Sequence, residues 1–78
     1  MNKERRNAIS KIEDELGEIQ ARIDELLGEE QEAVDNMPES LQYSDPVMAM
    51  REAAEQLEYA SGAIEDVLGY LSEAKGEG

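Results

Sequence analysis

The sequence predicts an all-α fold: an antiparallel helical hairpin with coiled-coil-like packing, two copies of which join into a four-helix bundle. Three observations predict it. Apolar residues fall at Ile9, Ile12, Leu16, Ile19, Ile23 and Leu26, with gaps alternating between three and four. That is a heptad seam, and only a long helix brings those side chains to one side. A second run, from Val47 to Ala74, has the same rhythm. Between the two lies a stretch holding Pro38 and Pro46, neither of which fits inside a regular helix.

Composition bounds the rest. The chain has 78 residues, enough for one domain. A core of that size supplies about 3–5 kcal/mol unless something staples it. There is no Cys, which removes disulfides and thiolate metal sites. There is no His, which removes the commonest general base and zinc ligand. Aromatic filling is scarce, with three Tyr and neither Phe nor Trp. The staple left is self-association, which buries the same kind of surface again.

The first helix is expected to start near Asn2 or Lys3 and to run to about Asn36. With a set at Ile9, the a row is Ile9, Leu16, Ile23, Glu30 and Met37, and the d row is Ile12, Ile19, Leu26 and Ala33. The narrow a/d seam breaks at Glu30. A buried carboxylate there is expensive, so the seam is expected to shift onto Leu27 and Val34 at e, with Glu30 turned to water. Gly17 and Gly28 lie within this helix, on its outer face, at about 1 kcal/mol each relative to Ala.

The connection, residues 37–45, begins with Met37, which Pro38 pushes toward extended backbone. Pro38 to Leu41 suits one short helical turn. Leu41 and Tyr43 are expected to cap the end of the core. Ser44 or Asp45 is placed to accept from free N–H groups, with Pro46 in the next helix's first turn.

The second helix is expected over residues 46–74. Its a row is Met50, Leu57, Ile64 and Leu71, and its d row Ala53, Ala60, Val67 and Ala74. Val47, Ala54, Ser61 and Leu68 stand at e, and Ala49, Gln56, Ala63 and Tyr70 at g. This stripe is wider than the first helix's and rich in Ala, so one partner helix covers only part of it. The remainder fits a homodimer, with Val47, Ala54, Leu68 and Tyr70 as the self-association surface. A foreign protein on that stripe is the alternative. Residues 75–78 read as a frayed tail. Lys3, Arg5 and Arg6 are expected near Glu73 and Glu77, where ion pairs offset their unfavourable place at a helix N-terminus.

Acids number 20 against 7 bases, for a net charge of −13. That balance repels nucleic acid and anionic membrane, and attracts proteins with basic surfaces. The plain alternative is a solvated Glu-rich exterior. Glu13, Glu18, Asp24, Glu25, Glu29, Glu32, Glu58, Glu65 and Asp66 are the candidate partner-binding acids. A di-metal carboxylate bundle needs inward Glu and a Glu-x-x-His pair, and the His is missing. No calcium loop, phosphate loop or Ser–His pair occurs. No cofactor, no metal and no enzymatic activity are therefore expected. Gly62 and Gly69, one heptad apart with Tyr59 and Asp66 alongside, are either tolerated surface glycines or a flattened strip that a partner backbone approaches, with Tyr59 as anchor. No stretch reaches the ~20 apolar residues of a membrane span, and no apolar run follows the basic start as in a secretory signal. A cytoplasmic setting is expected.

The junction Glu29-Glu30-Gln31-Glu32-Ala33-Val34-Asp35-Asn36-Met37-Pro38-Glu39-Ser40-Leu41-Gln42-Tyr43-Ser44, with the start Met1-Asn2-Lys3-Glu4-Arg5-Arg6, resembles small acidic two-helix proteins of bacteriophages and prophages, mainly of Gram-positive bacteria. The resemblance covers most of the chain and carries no catalytic residues across. It implies a phage setting inside a bacterial host cell. Small acidic phage proteins include anti-CRISPR and other anti-defence inhibitors, some of them nucleic-acid mimics. By that analogy, the expected function is inhibition of a nucleic-acid-handling protein through acidic faces. The rival expectation is an assembly protein that joins a larger complex through the second helix's apolar stripe.

Overall fold

In a computed structural model, described here for residues 1–76, the chain forms two long helices joined by a short 3₁₀ turn. Helix α1 spans Lys3–Asp35, the turn Glu39–Leu41, and α2 Asp45–Lys75. The helices pack along their lengths into a rod measuring 59 × 15 × 14 Å. The boundaries lie within a residue or so of those read from the sequence.

Each helix end has a local cause. The Asn2 side chain accepts from the Arg5 backbone N–H at 2.8 Å, capping α1. At the other end of α1, Pro38 prevents continuation, and Gln42 takes up the carbonyls left behind. Its amide nitrogen donates to Val34 and Met37, both at 3.0 Å, while its oxygen accepts from Arg51. Pro46 lies in the first turn of α2, where a missing N–H does no harm. Gly76 ends α2 with φ at 73°, a conformation that favours glycine.

The connection departs from expectation in two ways. Leu41 and Tyr43 do not cap the core: both are exposed, and Tyr43 lies with its ring 5.8 Å from the Arg51 guanidinium carbon. The Ser44 hydroxyl does not cap α2 either. It donates back to the Leu41 carbonyl at 2.6 Å.

The inward rows also differ from an a/d seam. The half-buried or buried residues of α1 include Ile9, Glu13, Leu16, Gln20, Ile23, Leu27, Glu30, Val34 and Met37, which are the a and e rows. In α2 they include Val47, Met50, Ala54, Leu57, Ser61, Ile64, Leu68 and Leu71, again a and e. Val34 takes over the seam beside Glu30 as expected, but Glu30 itself is half-buried rather than free in water. The d row of α1 is left outside: Ile12, Ile19 and Leu26 are 46%, 41% and 54% exposed. Only Val34, Val47 and Ala54 are buried among the described residues, all toward the loop end, and of these Val47 alone is completely covered.

Lys75 is not frayed. It closes the last turn of α2 and pairs with Glu13 at 2.5 Å. Among the described residues, Lys3, Arg5 and Arg6 make no ion pair with Glu73. Their other expected partner, Glu77, lies outside the described residues, as does Gly78.

Candidate interaction surfaces

A helix turns 100° per residue, so a row about 80° from the inward direction lies on the flank. With a and e facing inward, d is one flank and b the other. The helices run in opposite directions, so both d rows fall on one side of the rod and both b rows on the opposite side. The rod therefore has two unlike flanks.

The b flank is polar and laced. The Asp24 carboxylate accepts from the Ser61 hydroxyl at 2.6 Å. The Gln20 amide donates to Glu65 at 2.9 Å and to the Ser61 carbonyl at 3.1 Å. Lys75 donates to Ser10 at 3.3 Å. Asp24, Glu65 and Ser10 stand at b, and their partners stand at e on the facing helix. A shallow hollow opens on this flank near the loop, where Gln31, Asp35, Arg51, Glu55 and Glu58 surround Val34 and Ala54.

The d flank is apolar and bare. It carries Ile12, Ile19, Leu26 and Ala33 from α1, with Arg5 at its far end, and Pro46, Ala53, Ala60, Val67 and Ala74 from α2. All but Ala60 are exposed. Tyr70, at the adjoining g position, is exposed as well.

Directly away from the helix interface runs the c row. In α1 it carries Glu4, Lys11, Glu18, Glu25 and Glu32, and in α2 Asp45, Glu52, Tyr59, Asp66 and Glu73, all exposed. Neighbouring acids at spacings of three and four, as in Glu25, Glu29 and Glu32, lie about 5–6 Å apart. The Tyr59 hydroxyl donates to Glu55 at 2.7 Å. That hydrogen bond and the charge of Glu55 hold the Tyr59 phenol above its ordinary pKa. Beside it, a Cβ added at Gly62 or Gly69 meets no atom within 4 Å.

The candidate acids do not form one continuous patch. Glu18, Glu25, Glu29, Glu32 and Asp66 are on the outside of the rod. Asp24, Glu58 and Glu65 are on the polar flank, two of them engaged by hydrogen bonds. Glu13 points at α2 and is held by Lys75. Of the residues expected at the self-association surface, Val47 and Ala54 are already buried within the chain and Leu68 is half-buried. They sit at e, which this hairpin turns inward; Tyr70 alone of the four is open. Among the described residues, no group of three acids converges as a metal site needs. No described helix is long and apolar enough to cross a membrane.

No family model, curated protein or solved structure matches the chain. The surfaces themselves therefore carry the functional reading. The d flank was hidden from the sequence because d and e both border a, and periodicity alone does not choose between them. Gln20 with Glu65, and Asp24 with Ser61, were the available signal: hydrogen-bonding residues at matching heights on facing helices.

Proposed function

We propose that the protein acts without catalysis, as a homodimeric four-helix bundle whose acidic outer faces engage a basic, nucleic-acid-binding surface of another protein and inhibit it. The supporting observation is the density of exposed acid along the rod. Leaving out Glu77, the described residues carry a net charge of −12 over 59 Å. That is one charge per about 5 Å, and two copies side by side carry one per about 2.5 Å, against about 1.7 Å in duplex DNA. A basic cleft built for a duplex is drawn by the same long-range field. The phage setting, and an anti-defence role of the anti-CRISPR kind, rest on the resemblance of the junction and the start.

Binding of this kind weakens steeply with salt. Raising ionic strength from about 0.1 M to 1 M shortens the Debye length from about 10 Å to 3 Å. The test is capture of partners from phage-infected bacteria on the immobilised protein at both salt concentrations. The proposal expects a nucleic-acid-handling enzyme that is lost at high salt and lost with the double variant Glu25→Lys and Glu29→Lys. Capture indifferent to both overturns it.

The three exposed tyrosines, Tyr43, Tyr59 and Tyr70, favour a second reading, in which the protein is an assembly component joined to a larger complex through aromatic anchors on or near α2. That binding tolerates salt and is lost with the double variant Tyr59→Ala and Tyr70→Ala, which leaves the inward rows untouched.

A further inference from the structure

We infer that the bare d flank is covered by a second copy of this chain in one particular arrangement: both loops at the same end, and α1 of each copy lying over α2 of the other. The inference rests on the dimer proposed above and names its face and register.

The size of the uncovered surface comes first. A folded monomer of 8.7 kDa exposes about 4,700 Å². This chain exposes 5872 Å². The excess, about 1,100 Å², comes of the rod shape, and a standard interface removes about 800 Å² from each partner. A flank of 59 × 15 Å supplies an area of that order. It is also the flank with least charge: none of the eight d residues from Ile12 to Ala33 and Ala53 to Ala74 is ionisable, and the one charged d residue, Arg5, lies at the open end of the rod beyond the paired layers.

Height along the rod decides the arrangement. Gln20 bonds Glu65, Asp24 bonds Ser61, and Ser10 bonds Lys75, so residues whose numbers sum to 85 stand level. A twofold axis along the rod lays a second hairpin on the d flank without changing heights. Ile12 then lies over Ala74 of the second copy, Ile19 over Val67, Leu26 over Ala60 and Ala33 over Ala53, each within one residue of level. At three of the four layers a large side chain meets a small or β-branched one, as close packing requires, and at the loop end two alanines meet. The g rows border this interface on its outer side. There Glu15 is level with Tyr70 of the second copy and Glu29 with Gln56, so each carboxylate meets a side chain able to donate a hydrogen bond.

A twofold axis across the rod is the other way to lay one d flank on another. It puts α1 over α1 and the loops at opposite ends. Ile19 then meets Ile19 of the second copy and Ile12 meets Leu26, while on α2 Val67 meets Val67 and Ala60 meets Ala74. One side of that bundle is over-filled and the other left with gaps, and both cost stability.

Two measurements test this. Sedimentation equilibrium of the unaltered chain at about 10 μM, where mass action favours a real dimer, is expected to give twice the monomer mass. The monomer mass there overturns the dimer itself. Second, chains carrying Leu26→Cys alone and Ala60→Cys alone are mixed and oxidised, with helicity checked by circular dichroism. The unaltered protein has no cysteine, so every disulfide formed is between copies. The arrangement expects the mixed 26–60 product to predominate and Ile19→Cys alone to form little. A dimer that links Ile19→Cys to itself, or that forms no mixed product, overturns the arrangement and leaves the dimer standing.

Discussion

Gln42 stands at the point where the chain turns. Its three hydrogen bonds tie the last turn of α1 to the first turns of α2 through Arg51. Removing the amide leaves the Val34 carbonyl without this donor at a part-buried site. Gln42→Ala is expected to lower unfolding free energy by about 1–2 kcal/mol in urea titration. Gln42→Glu, which loses both donated bonds, should cost as much. Nothing in the sequence marked Gln42, because a glutamine in a polar loop is ordinary and its use depends on where Arg51 arrives. Tyr59 offers a second residue-scale prediction. Its phenol is raised by the hydrogen bond to Glu55, so the folded state holds that proton to higher pH than the unfolded chain does. The stabilisation is whole below the unfolded value and is lost as pH rises through the folded one. An ultraviolet titration should therefore show a late-ionising phenol, and Tyr59→Phe should remove that late component.

Each helix was legible as a helix and illegible as a rotation. The heptad rhythm fixed the a row correctly in both elements, since Ile9, Leu16 and Ile23, with Met50, Leu57, Ile64 and Leu71, all turn inward. The structure takes e over d as the companion row, with the cross-helix bonds of Gln20 and Ser61, which periodicity does not contain. The glycines are an independent feature of the elements. Gly17, Gly28, Gly62 and Gly69 all lie within helices, and none has an atom within 4 Å of the place a Cβ would take. Their replacement by Ala should stabilise the helices by roughly 0.5–1 kcal/mol each, through restriction of the unfolded chain. Thermal denaturation of the fourfold variant is expected at clearly higher temperature. If the Gly62 and Gly69 strip receives a partner backbone, the same variant should gain stability while losing that partner.

At the scale of the whole molecule the question is what holds so thin a rod together. Three buried side chains are a small core for 78 residues. Most of the a rows are only half-covered, because one neighbouring helix shields one side of a cylinder. A second hairpin on the d flank covers the open edge of the a rows as well as the d rows, which makes folding and association one event. Unfolding should then depend on concentration. A hundredfold increase in protein adds about 2.7 kcal/mol per dimer, which for a dimer of this size raises the midpoint by roughly 5–10 °C. Ile19→Asp separates this from a stable lone hairpin. Ile19 is 41% exposed in the single chain, where a surface carboxylate changes stability by about 0.5 kcal/mol or less. In the bundle the same carboxylate is buried without a partner, which is strongly destabilising. The variant is expected to sediment as a monomer, to lose much of its helicity, and to melt at a temperature that no longer depends on concentration. An Ile19→Asp chain that melts with the native midpoint at every concentration would mean that the d flank has no second copy on it.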